Sequence, residues 1–327
     1  MTDWNTNAEL AEWCRLPMPF EASSVSPNGR WAAVSMSESC GIIDLRTETG
    51  LYEIARLGWE DYDEDDGTTF HALGSAFGAN SEFVAFTREN EILVYATPEH
   101  TGKPNATGWK RHWTGELEGT VTDVSVGNSG KTLGGVTESG ELALYGRFPE
   151  FGSIGPAETV SQEPLEFVAI NPERKLVLCG GASGTVRLVR PNQKGGSEIT
   201  AIDSDAEVED GYWQTNNEFV FCDHSGDVTW CRIGQKSDRI GVTEIISTTI
   251  GTPRAVRVTD DGAWLLVGGD NGVEVFDIRD WQGTGQPDTE RTIDTGECRT
   301  LAVGASVLAG GGNETDSFLK MIETPTV

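Results

Sequence analysis

A short unit returns seven times along this chain, and the interval between its copies leaves few folds open. Its cleanest copy is VRVTDDGAWLLVGGDNGVEVFDI, residues 256–278. An apolar run ends in a polar Thr259-Asp260-Asp261-Gly262 turn, a second run covers Trp264 to Gly268, and Val273 to Ile278 follows an Asp270-Asn271-Gly272 turn. Two β-branched runs joined through Asn-Gly predict a hairpin, because that pair tolerates the positive φ such turns need. Further copies are VSPNGRWAAV (25–34), FGANSEFVAF (77–86), VGNSGKTLGGV (126–136), INPERKLVLC (170–179), QTNNEFVFC (214–222) and a shortened VGASVLAGG (303–311).

With the residue before each polar turn as anchor, the copies start at Val25, Phe77, Val126, Ile170, Gln214, Val258 and Val303. Their spacings are 52, 49, 44, 44, 44 and 45 residues. Seven copies at that period predict an all-β fold: a seven-bladed β-propeller with four antiparallel strands per blade, filling residues 1–327 as a single domain. The head of the second strand is Trp31, Phe83, Leu133, Leu176, Phe219, Trp264 or Val307, one apolar residue per blade, as a core shared between stacked sheets requires. After Val303 the chain has room for two more strands of the last blade but no fourth. The N-terminal segment, residues 1–19, is therefore expected to close that blade through Glu12 to Leu16, since an open sheet would leave an unpaired edge. Asn7 to Leu16 also has the cap and formers of a helix, which is the competing reading.

The chain has 24 basic and 52 acidic residues, a formal net charge of −28. Such a surface repels nucleic acid and anionic membrane. Sparse lysine with abundant aspartate and glutamate resembles the composition of salt-in halophile proteins, where molar salt screens charges beyond ~3 Å. No opening signal segment and no run of ~20 apolar residues is present, so a cytoplasmic, monomeric protein is expected. Six cysteines without a CxxC pair read as small hydrophobes, with Cys179 and Cys222 in one register of neighbouring blades.

Two stretches invite a ligand reading. In WEDYDEDDG (59–67) the alternate carboxylates Asp61, Asp63 and Asp65 are the weak candidate for a calcium ion, but the glycine falls one place late and Ala72 stands where an EF-hand has glutamate. A solvated acidic loop is the plainer reading. Lys110-Arg111-His112 is a short basic run suited to an acidic partner or to a neighbouring acidic loop.

The SPNG and TDDG turns, the GGASGTVRLV and GGDNGVEVFD hairpins and the aromatic-acid pair Phe276-Asp277 make residues 20–325 resemble degenerate WD40 repeats. The Gly-His pair ahead of the inner strand is missing, and Val94-Tyr95, Leu144-Tyr145 and Trp230-Cys231 stand where WD40 repeats have Trp-Asp. The resemblance implies the propeller fold and an interaction role, not one member's activity.

Innermost strands of a propeller start at one mouth of its channel. Four residues before the anchors stand Glu21, Leu73, Thr122, Glu166, Asp210, Arg254 and Arg299, with Trp213 close by. These are the candidate partner-binding residues, because loops on a rigid scaffold carry function and arginine with tryptophan makes interface hot spots. Charges that merely pair within the ring are the alternative. Catalytic motifs are absent: the four histidines lack metal-ligand spacing, and no GxSxG or P-loop occurs. No cofactor and no metal are expected. The sequence reads as a non-catalytic protein-interaction scaffold. A lactonase-like metal-dependent hydrolase using Glu21, Glu166 and Asp210 is one alternative, which Arg254 and Arg299 oppose by repelling a cation, and a rigid accessory subunit is another.

Overall fold

The computed structural model describes residues 20–36, 39–45, 55–57, 72–98, 109–127, 129–147, 151–173, 175–192, 194–234, 239–281, 283–304, 307–313 and 316–322. Seven antiparallel sheets follow one another along the chain. Their innermost strands are Phe20–Val25, Ser75–Phe77, Val121–Gly127, Leu165–Ile170, Val208–Trp213, Pro253–Val258 and Cys298–Val303. In each sheet the strands lie in sequence order from the channel outwards. The first, second, fourth, fifth and sixth sheets have four strands. In the third, the outermost position is divided between Phe151–Ser153 and Glu158–Thr159. The seventh holds Cys298–Val303, Val307–Asn313 and Asp316–Ile322. The expected closing segment, residues 1–19, lies outside the described residues, as do Asp61, Asp63 and Asp65.

The polar turns repeat because the same side chains hold them. In the sixth blade Thr259 Oγ1 accepts from Trp264 N–H at 3.0 Å and donates to Asp261, whose carboxylate also accepts from Ala263 N–H. In the first, Ser26 and Asn28 do the same for Trp31 and Arg30. Glycine follows in both, Gly262 and Gly29 at φ 67°, where a Cβ is strained. The predicted hairpin at Asp270-Asn271 is present, closed by the Gly269–Gly272 pair. Gly272 sits at φ 118°, and a Cβ there would stand 2.2 Å from the Ile293 carbonyl oxygen.

The core lies between blades rather than at a single centre. One cluster fills each of the seven interfaces, from Trp31 against Tyr95 between the first and second blades to Trp264 against Leu301 between the sixth and seventh. All seven residues expected at the head of the second strand are buried. Phe20, Val34 and Ile43 of the first blade pack on Ala302 and Leu308 of the seventh, and Ser23 bonds Thr300 at 2.9 Å, so the ring is closed at its inner strands.

One register differs from the expected one. Trp213, not Gln214, is the anchor of the fifth blade: Trp213 pairs with Phe219 as Ile170 pairs with Val177 and Val258 with Leu265. A slip of one residue turns a strand over. Accordingly Cys179 pairs across from Val168 and faces the third blade, while Cys222 pairs across from Asp210 and faces the sixth, so the two cysteines do not share a register. Both are buried thiols, and burial pushes Cys179 up to about 12, far from a reactive thiolate.

Candidate functional site

Six of the seven inner strands begin with an irregularity of the same kind. One residue near the start of the strand is left without a partner across the ladder: Glu21, Thr122, Glu166, Glu209, Arg254 and Arg299. Such a bulge re-aims a side chain that a regular ladder would turn into the neighbouring blade. Together with Leu73 these residues form one ring, and all seven line a central cavity of about 450 Å3. The expected ring is therefore present, with a correction in the fifth blade. Glu209 occupies the rim there, and Asp210 lies one position deeper.

Trp213 does not line this cavity. Its indole is buried against Phe219, with ring centroids 5.5 Å apart, and its N–H donates to the Ala169 carbonyl at 2.9 Å. Alternation has turned it into the wall between the fourth and fifth blades.

The rim charges form a belt across four blades. His224 bonds Glu209, and its other ring nitrogen is 3.4 Å from Glu207. Arg254 stands 3.4 Å from Glu209, 3.4 Å from Glu297 and 3.5 Å from Asp270. Arg299 lies 3.0 Å from Glu297 and 3.4 Å from Glu21. Glu166 stands apart, with no ion-pair partner among the described residues. Burial raises the pKa of its carboxyl, and the nearby Glu209 and Glu207 raise it further, against a smaller opposing effect from His224. The remaining sector of the rim, Leu73 and Thr122, is uncharged.

Below the rim lies a second layer, from which the sequence singled out Asp210 alone, and that as a rim residue. Asp123 and Asp210 occupy the same register in the third and fifth blades. Each reaches across to the next blade: Asp123 accepts from Val168 N–H at 2.9 Å and Asp210 from Val256 N–H at 3.0 Å. Arg257 donates to Asp210 and to the Val256 carbonyl, and it lies over the Tyr212 ring. Burial pushes Asp123 up to about 7, opposed by the backbone N–H bonds and Arg257 and reinforced by Asp210. Burial also raises Asp210, with Arg257 opposing it most strongly.

Chemically, these groups hold one another. The carboxylates Glu21, Glu209, Glu297 and Asp210 each have a guanidinium within 3.5 Å. Among the described residues no group of three or more His, Cys, Asp or Glu is placed to hold a metal ion, and no helix is long and apolar enough to cross a membrane. Spacing did not point to Glu209, because the turn that joins Trp213 to Phe219 is one residue shorter than those that join Ile170 to Val177 and Val258 to Leu265.

No protein-family model matches the sequence, and no curated protein does. Solved structures do match. That of U3-55K superposes with a TM-score of 0.77 at 12% identity, over 97% of this chain and 99% of its own. That of the RRP9 WD40 repeats does so with a TM-score of 0.77 at 12% identity, over 97% of this chain and 98% of its own. The likeness is one of fold, and with seven sheets closed into a ring that fold is the WD40-type seven-bladed β-propeller.

Proposed function

We propose that the chain is a non-catalytic scaffold that binds a protein partner at the channel mouth, monomeric on its own and working in a salt-adapted cytoplasm. The observation that carries this reading is the rim belt. Bulges aim Glu21, Glu166, Glu209, Arg254 and Arg299 into one mouth from five blades, on sheets whose interfaces are fully packed. A rigid frame presenting half-buried charges suits recognition, since the ordering cost of the site is met during folding. Glu166, the one ring acid without a guanidinium partner among the described residues, is the rim acid most open to a basic group from a partner. The WD40 repeats among the structural neighbours support an interaction role by likeness of fold.

Arg254 and Arg299 favour this reading over a metal-dependent hydrolase, because a cation entering the mouth would displace their bonds to the acids it needs. The test pairs two measurements. Reversing both charges, Arg254→Glu with Arg299→Glu, removes the partners captured from extracts at high salt by the wild-type chain. An unchanged set of captured proteins overturns the scaffold reading. Calcium and zinc titrations followed by calorimetry give only non-specific heats; stoichiometric binding at the mouth restores the hydrolase alternative.

A further inference from the structure

The opposite face of the ring carries a charge pattern unlike the rest of the chain. From Arg174 through Ser197 the sequence has five basic residues and no acidic one, in a chain where acids outnumber bases 52 to 24. Antiparallel order places the turn between the first and second strands, and the loop between the third and fourth, on the face away from the mouth. Lys175, Arg190 and Lys194 of the fourth blade are there, with Arg239 of the fifth. All four are exposed.

Arginines elsewhere in the chain are mostly held by carboxylates, as Arg30 is by Asp44, Arg88 by Glu91 and Arg279 by Asp277. In this sector Lys175, Lys194 and Arg239 have no ion-pair partner among the described residues. Arg190 is 3.9 Å from Glu198, a side chain 84% exposed. Of the other described acids on this face of the two blades, Glu173 bonds Asn216 and Glu218 holds Arg232.

A second observation falls on the same two blades. A cavity of about 250 Å3 lies between them, lined by Leu176, Leu188, Arg190, Glu198, Thr200 and Arg239. Among the described residues the large hydrophobics left exposed are Ile199, Val242 and Ile245, at 45%, 49% and 51%. All three sit on the outer strands of these blades, Glu198–Asp203 and Ile240–Ser247. Single exposed apolar residues need no explanation, but their confinement to one sector beside Lys175, Lys194 and Arg239 does.

We propose that this sector is a docking surface for an extended acidic peptide segment that carries apolar side chains. Arg190 and Arg239 hold its carboxylates at the mouth of the cleft, and Val242 and Ile245, on the side of the fifth blade's outer strand that faces the fourth blade, cover its apolar side chains, whereas Ile199 points to the other side of its strand. A nucleic acid would answer the cations alone, against a net charge of −28 that repels phosphate at longer range. A polypeptide answers both features.

The probe is a short fluorescein-labelled peptide of alternating aspartate and leucine, titrated into the intact chain by fluorescence anisotropy. Controls replace leucine by serine, or the peptide by single-stranded oligothymidylate. The wild type binds the aspartate-leucine peptide best. Affinity falls about tenfold in Arg190→Glu with Arg239→Glu, as for paired charges at an interface. It falls severalfold in Val242→Ser with Ile245→Ser, and it is unchanged in the rim variant Arg254→Glu with Arg299→Glu, so this outcome is independent of the mouth. These side chains are exposed, and unaltered melting confirms that the variants fold. Four results overturn the proposal: no binding by the wild type, equal binding by the charge-reversed variant, equal affinity for serine peptide or oligothymidylate, or copies of the chain pairing through this sector in sedimentation.

Discussion

The seam between the third and fourth blades and the seam between the fifth and sixth are built from the same part. In each, an aspartate at one register of the inner strand accepts a backbone N–H from the neighbouring blade, at 2.9 Å for Asp123 and 3.0 Å for Asp210. The seams differ in what faces that carboxylate. Asp210 has the Arg257 guanidinium bonded to it, whereas Asp123 meets Arg257 only through space. A repeat therefore copies geometry without copying electrostatics. One blade pair carries a compensated charge and the other a carboxyl held near neutrality by its surroundings.

The largest effect is expected from breaking the compensated seam. Arg257→Leu leaves Asp210 in place with its partner gone, and removing one member of a buried pair costs about 3–5 kcal/mol. The side chains of Asp210 and Arg257 keep 15% and 22% exposure, so the lower end of that range applies. The loss, read by urea unfolding near neutral pH, shrinks under acid conditions where Asp210 takes up a proton. A cost that stays below about 1 kcal/mol would mean that channel water already solvates the pair as well as Arg257 does.

A smaller, pH-shaped effect belongs to Asp123. Its folded-state pKa of about 7 lies above the ordinary value of 3.8, so between these values the native chain binds more protons than the unfolded one. Stability from this group is then present in full below about pH 4, declines as pH rises towards 7, and is level beyond it. Asp123→Asn keeps an oxygen for Val168 N–H and removes the titration. The wild type's advantage over this variant, measured by urea unfolding, falls on going from acid to alkaline conditions by at most about 4 kcal/mol, the full worth of that shift, and by less for a side chain that keeps partial exposure. A difference that is flat with pH would place Asp123 in open water and erase the contrast between the two seams.

How much of this was legible follows from the same pair of residues. Period and turn chemistry are local, so six of the seven anchors and the ring at Glu21, Thr122, Glu166, Arg254 and Arg299 are readable from spacing alone. In the fifth blade the inner strand ends at Trp213, and the turn that leads to its partner Phe219 is one residue shorter than the turns from Ile170 to Val177 and from Val258 to Leu265. The anchor was therefore placed one residue late, which moved Asp210 to the rim in place of Glu209. Trp213 drew notice as an aromatic near the mouth, yet alternation buries it in the wall. The Asp123 and Asp210 ties join residues 45 and 46 positions apart, and Arg257 finds Asp210 at a separation of 47; no pattern within one repeat announces a contact made between repeats.

Salt supplies the smallest effect and the last contrast, between the buried seam and the rim. Rim pairs such as Arg299 with Glu21, at 3.4 Å and with side chains 33% and 23% exposed, are worth about 0.2–1 kcal/mol in dilute buffer. Molar salt shortens the screening length from ~10 Å to ~3 Å and removes most of that. Arg299→Ala is thus expected to cost a few tenths of a kcal/mol in dilute buffer and close to nothing in molar salt. Arg257→Leu keeps most of its cost in both, because its partner is shielded from ions. The whole chain moves the other way: with a net charge of −28, screening relieves self-repulsion, so the melting temperature of the wild type rises with salt even as the rim pairs weaken. Melting of the wild type and both variants across salt concentration separates these terms. A wild type fully stable in dilute buffer would remove the case for salt adaptation and leave the acidic surface to be explained by its partners.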